Sequence, residues 1–180
     1  RDLHSFPTRR SSDLIWSFAA AYKALGNGEC LSAAIHARDW FVSHLADHEY
    51  GGVYWSATSD GKPLDTKKQL YSQAFAIYAF SELYKVTSDK KDLDVATGLF
   101  NIVERRFRDF AEGGYTEALS RDFSPLEDMS LSAHDINAGK TMNSHLHLME
   151  AYANLYSVWP DPFLKEALLE LLRLTCLKIM

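Results

Sequence analysis

Cysteine is nearly missing from this 180-residue chain: Cys30 and Cys176 lie far apart and have no metal-type spacing. That excludes a disulfide framework and a thiolate metal centre, and makes a reducing compartment, the cytoplasm, the expected location. Long apolar runs are missing too. No stretch approaches the ~20 apolar residues that span a bilayer, and the start lacks the charged and apolar regions of a secretory signal, so neither a membrane nor export is expected. Positive charge is also short. Nineteen Lys and Arg against 24 Asp and Glu leave a formal net charge of −5 and no basic stripe, which makes nucleic acid and anionic surfaces poor partners. A small neutral ligand is the expected partner. What the chain has is 47% hydrophobic residues, enough for a packed core in one domain.

Those apolar residues recur at helical spacing in six segments, near 15–25, 30–47, 67–87, 91–110, 140–158 and 162–179. Stop and start signals agree with them: Gly26 ends the first, Ser88 and Asp89 cap the fourth, and Asp161 with Pro162 opens the sixth. The connections alternate short and long, so three antiparallel helix hairpins place both long loops, 48–66 and 111–139, on one rim. The loops echo each other. Glu49-Tyr50-Gly51-Gly52-Val53-Tyr54-Trp55 returns as Glu112-Gly113-Gly114-Tyr115-Thr116-Glu117, with Gly52 and Gly114 separated by 62 residues. An internal repeat of helix hairpins follows, each with paired glycines at a tight bend and a short extended segment after them. Two all-α architectures fit: an open solenoid, or part of an α/α toroid. Residues 1–14 show neither periodicity. They resemble a translated sequencing adapter and are read as a non-native tail on a domain of residues 15–180.

The segment from Lys140 to Tyr152 carries the chemistry. Polar groups open a helix that then turns apolar, and Asn143 and His147, four apart, share a face while His145 points elsewhere. The helix start, with free N–H groups and a partial positive charge, suits an anionic ligand or a developing oxyanion. His145 is read as structural. A metal held by His145 and His147 is not expected, because their side chains diverge and no third ligand is evident. Tyr71 lies in an aromatic stripe with Phe75 and Tyr78 that by itself reads as core packing, while its own phenol at the helix start suits packing or a site equally, and Tyr54 and Trp55 can stack on a ring-shaped ligand or pin a loop. Asp135 can cap a turn or meet a ligand. His36, His44 and His48, with Asp39, Asp47 and Glu49, are expected on a solvated face, and Lys67-Lys68 as surface charge.

Taken together, these blocks are similar to the N-acylglucosamine 2-epimerase family, in particular its branch acting on disaccharides such as cellobiose. The resemblance rests on Ile15-Trp16-Ser17-Phe18, Glu49 to Trp55, Lys68 to Tyr78, Gly113-Gly114-Tyr115, and Asp135-Ile136-Asn137 through His147 to Asp161. It implies an (α/α)6 barrel about twice this length, with the chain as its N-terminal half: a partial toroid of about six helices and two long rim loops. It also implies a monomer, and cofactor-free epimerisation at C2 of a reducing-end sugar through ring opening and a cis-enediolate. Position by position, His147 is the implied catalytic residue, and Tyr71, Asp135 and Asn143 are implied substrate contacts. One position departs: where the family has an active-site arginine, three residues before the tryptophan, this chain has Asp13. The family's proton-transfer histidines belong to its other half, so the resemblance implies that these 180 residues alone are inactive.

Free N-acylglucosamine or mannose is the alternative substrate within the family. Outside it, an α/α-barrel glycoside hydrolase needs two carboxylates about 5 to 9.5 Å apart, for which Asp135 and Glu112 or Glu117 are candidates. A non-catalytic helical scaffold is the third reading.

Overall fold

The computed structural model describes residues 5–132 and 134–178, with backbone alone for 5–10 and 178. In chain order its elements are β1 (Ser5–Pro7), α1 (Thr8–Leu25), α2 (Gly28–His44), β2 (Ser56–Thr58), β3 (Pro63–Asp65), β4 (Lys68–Gln69), α3 (Leu70–Thr87), α4 (Lys90–Arg106), β5 (Ala118–Leu119), α5 (Met142–Tyr156) and α6 (Pro162–Lys178). The six expected helices are present. Asn27, Asp89 and Asp161 each turn a carboxylate or amide oxygen onto a backbone N–H at the start of α2, α4 and α6. Gly26, at φ 68°, closes α1.

The first helix starts seven residues before the expected 15. Its early buried positions, Ser11 and Ser12, are hydroxyls in line with Ile15 and Ala19, so the helical period is present but not written in apolar residues. Before it, β1 pairs antiparallel with β2, and β2 with β3. Residues 1–4 lie outside the described part.

The hairpins pack in two rows. α1, α3 and α5 lie side by side as one row, and α2, α4 and α6 each back onto their hairpin partner. This is an arc of an α/α barrel. α3, central in the inner row, is buried from Leu70 to Leu83 except at Phe75 and Tyr78, which leaves one half-open aromatic stripe. Behind it Phe41 meets Phe80 at 5.4 Å and Phe100 meets Tyr152 at 5.1 Å between ring centres, both edge to face.

Both long loops begin the same way. Gly51 and Gly52, at φ 84° and 74°, and Gly113 and Gly114, at 76° and 77°, bend the chain so that Val53 bridges Ala46 and Tyr115 bridges Arg108. An aspartate organises each bend: Asp47 accepts from the N–H groups of Glu49 and Tyr50, and Asp109 from those of Ala111 and Glu112. A lysine just before the next inner helix closes the unit, Lys68 on Asp47 at 2.8 Å and Lys140 on Asp109 at 2.7 Å.

Lys68 and Asp47 therefore depart from the surface roles expected of them, because both are fully buried. Lys68 lies 4.6 Å from the centre of the Tyr54 ring, and Arg121 adds a second cation to Asp47 at 3.0 Å. Burial pulls the lysine below its usual range, Asp47 opposing. Burial pushes Asp47 up, but hydrogen bonds from Arg121, Lys68 and two backbone N–H groups hold it well below the carboxylate range.

Asp47→Ala strands a buried ammonium and is expected to cost about 3–5 kcal/mol in urea denaturation. Lys68→Met leaves Asp47 with Arg121 and the backbone donors and is expected to cost clearly less. Equal, small losses for both would remove the pair from its structural role.

Candidate active site

α3 and α5 are neighbours in the inner row, and their N-terminal turns bring together Tyr71 and His147. The His147 ring lies 5.1 Å from Tyr71, edge to face, and 4.8 Å from Phe75. Tyr71 in turn touches Phe75 at 4.7 Å and Trp55 at 6.5 Å. Lower on the same face Tyr78 stacks on Trp16 of α1 at 5.5 Å. An aromatic wall thus runs across three inner helices, the kind of surface that carbohydrate rings stack on. Tyr78 is held above the usual phenol range, first by burial and then by the negative charges of Glu150 and Glu82.

The tautomer of His147 follows from its partner. Nδ1 lies 2.9 Å from Glu150 Oε2, and a carboxylate only accepts, so Nδ1 carries a proton, and in the neutral ring the lone pair is on Nε2. The carboxylate holds the imidazole in one orientation. Sequence reasoning missed Glu150, although its spacing three residues after His147 on a helix was a legible signal. Phe75 it assigned to a packing stripe, and here it forms half of the histidine's seat.

The other expected residues stand differently. Asn143 is exposed in the first turn of α5, one turn before His147 on the same face. Asp135 lies in the long loop, exposed, and its carboxylate accepts from Ser132 Oγ at 2.7 Å in a local turn. Trp55 has Lys67 above its ring and the Tyr71 ring at its edge, so it joins the loop to the wall.

The start of α5 departs from its expected use as an anion site, since the chain fills it with Glu117. This buried carboxylate accepts from Thr141 N and Oγ1 at 3.1 and 2.9 Å and from Ser144 Oγ. A side chain so fully donated to, at a helix N-terminus, is an anchor.

His145 is structural, as read. Tyr115 N–H donates to its Nε2 at 3.0 Å, and its Nδ1 donates to Thr141 O at 2.7 Å, which fixes a neutral ring. Burial lowers its pKa. Gly114 must be glycine: a Cβ there would come within 2.7 Å of Nε2, at a positive φ. In the first loop Gln73 does the same work, with Oε1 accepting from Val53 N–H at 2.9 Å.

With this geometry the comparisons with known proteins can be placed. A family model of N-acylglucosamine 2-epimerase (GlcNAc 2-epimerase) matches residues 5–180. The chain belongs to that family. It is 45% identical over 167 residues to a cellobiose 2-epimerase of Bacteroides fragilis, covering 93% of this chain and 43% of the relative. A cellobiose 2-epimerase of Dictyoglomus turgidum is 33% identical over 90% of this chain and 41% of its own. Among solved structures, cellobiose 2-epimerase from Bacillus thermoamylovorans superposes with TM-score 0.94 at 34% identity, over 98% of this chain and 46% of that one. A D-mannose isomerase at 21% identity, TM-score 0.84, and a family 76 mannosidase at 14%, TM-score 0.74, share the fold. The chain spans less than half the length of the relatives it matches. Among the described residues no helix is long and apolar enough to cross a membrane.

The His145 geometry sets a pH dependence for this epimerase-family fold. A folded-state pKa below the unfolded value near 6.5 contributes stability that is present above that value and lost as pH falls toward the folded pKa. The urea midpoint is expected to drop between pH 7.5 and 5. His145→Gln, which supplies the acceptor that Gln73 supplies elsewhere, is expected to flatten the His145 part of that drop while costing under about 1.5 kcal/mol at pH 7.5. An unchanged pH slope in the variant would contradict the assignment.

Proposed function

We propose that the chain is the N-terminal half of a sugar 2-epimerase that acts on the reducing-end glucose of a β-1,4-linked disaccharide such as cellobiose or lactose. The observation that carries it is His147, oriented by Glu150 and seated against Tyr71 and Phe75 at the end of an aromatic wall. The likeness to cellobiose 2-epimerases supports the same reading. Epimerisation opens the ring, removes the C2 proton beside the aldehyde, forms a cis-enediolate and returns the proton to the opposite face. In this reading His147 exchanges a proton with a sugar oxygen at Nε2, Asn143 and Tyr71 donate to oxygens that gain charge, and Asp135 holds a hydroxyl. The C2 proton transfers fall to histidines of the other half. The reaction needs no cofactor, and the whole enzyme is a cytoplasmic monomer.

Glycoside hydrolysis is the weaker reading. Of its candidate carboxylates, Glu117 is buried and fully engaged, and Asp135 and Glu112 are exposed. We read residues 1–14 as foreign to the parent, which accounts for Asp13 where the family has arginine.

The test grafts residues 15–180 into the Bacteroides fragilis relative in place of the matching segment, so that the relative supplies everything before residue 15, the position of Asp13 included, and follows cellobiose by NMR in D2O. Deuterium at C2 with the manno-configured product is expected. His147→Ala is expected to lower kcat about 100-fold or more, and Glu150→Gln about 10-fold with a shifted pH profile. The 180 residues alone are expected to give no exchange. Release of monosaccharides would establish hydrolysis, and a folded but inert graft would favour a scaffold.

A further inference from the structure

The internal repeat predicts more than the bends. From the inner helices onward the two copies keep a strict offset of 72 residues: Lys68 with Lys140, the N-caps Gln69 and Thr141, Gln73 with His145, and the N-caps Asp89 and Asp161. The outer helices match as well. A Cβ on Gly51 would meet Ile102 of α4 at 2.9 Å, and one on Gly113 would meet Leu174 of α6, 72 residues on, at 3.9 Å.

The copies differ in what lies over them. The first is closed by the connection that follows α4: Arg121 binds Asp47 and Glu49, and Phe123 reaches Gly52 and lies 5.8 Å from Lys68. Beneath that cover the Lys68 and Asp47 side chains and Leu70 have no exposed surface. In the second copy the Lys140 and Asp109 side chains are 30% and 28% exposed, and Met142, in the place of Leu70, is 54% exposed. A hollow of about 300 Å³ opens there, between Gly113, Gly114, Lys140, Met142, His145 and Leu174. Its charge is also unbalanced. Asp47 faces two cations, whereas among the described residues Asp109 pairs with Lys140 alone, with the Glu112 carboxylate 3.7 Å from that lysine.

We infer that this hollow is the seat for a hook of the Arg121-Asp122-Phe123 type, a guanidinium two residues before an aromatic ring, supplied by the connection that follows α6 in the complete barrel. The ring would fill the space over Gly114 and Met142, as Phe123 does over Gly52. The guanidinium would pair with Asp109 and Glu112, forming bidentate, charge-assisted bonds that a lysine cannot match. Each hairpin would then be locked by the loop of the next, which makes the rim a chain of interlocking units. The inference rests on the barrel continuing past α6 and not on epimerisation, so the disaccharide assay and the experiment below fail separately.

The chain carries its own probe. A peptide copying residues 118–126, Ala-Leu-Ser-Arg-Asp-Phe-Ser-Pro-Leu, is titrated into the 180-residue chain by calorimetry and ¹⁵N NMR. Saturable binding is expected, with shifts centred on Gly113, Gly114 and the His145 ring. Arg121→Gln or Phe123→Ala in the peptide is expected to weaken binding at least tenfold each, and Asp109→Asn in the protein to do the same for the unchanged peptide alone. If that variant does not fold, the two altered peptides against the unaltered chain decide the matter. No binding at millimolar peptide, binding indifferent to the arginine and the phenylalanine, or shifts centred elsewhere would overturn the inference.

Discussion

The structure depends on an aspartate clamped by a lysine across a double-glycine bend. An α/α hairpin needs no loop of any particular shape to pack, but a site at the end of an inner helix needs that helix to begin at a fixed height and rotation. The clamp supplies both. Asp47 and Asp109 gather the backbone donors of their bends, and the lysines that answer them each stand two residues before α3 and α5. The bend then hands a backbone N–H to an acceptor on the first turns of the same helix, Gln73 or His145. Loop and helix start are thereby one rigid piece, and Tyr71 and His147 inherit their positions from it.

This arrangement costs something in the first copy, where an ammonium and a carboxylate are removed from water. Burial of such pairs is repaid only when every remaining hydrogen-bonding position is filled. Asp47 meets that condition with Lys68, Arg121 and two N–H groups, and Lys68 adds the face of Tyr54. The charges fix one register of the loop. An apolar pair in their place would pack but would not say where the bend must stop.

Much of this was legible beforehand. Six helices, their caps, the hairpin rhythm and the repeated bend follow from periodicity and glycine pairs, and the family likeness implied that His147 and Tyr71 belong to one site. Three things were not. The first two turns of α1 hide because Ser11 and Ser12 occupy core positions that an apolar count does not register. Lys68 reads as surface because its neighbour Lys67 is charged and because burial of an ammonium is decided by Asp47 and Arg121, 21 residues before and 53 after. The start of α5 reads as an empty anion site because Glu117, its occupant, comes from 24 residues upstream. The last two misses are contacts distant in sequence, which local pattern does not encode.

A repeated scaffold must still make an asymmetric site, and the offset of 72 shows where symmetry is broken. Tyr71 and Phe75 on α3 answer to Asn143 and His147 on α5. The same two rungs, at the same distance from the same clamp, carry two aromatic rings in one hairpin and an amide and an imidazole in the next. His147 then sits between the Phe75 that occupies its own equivalent place and the Tyr71 one turn away. The aromatic copy covers one side of the imidazole, and Glu150 orients its Nδ1. Specialisation in this fold therefore needs no change in backbone: it needs one hairpin to keep its rings and the neighbouring one to exchange them for an amide and an imidazole.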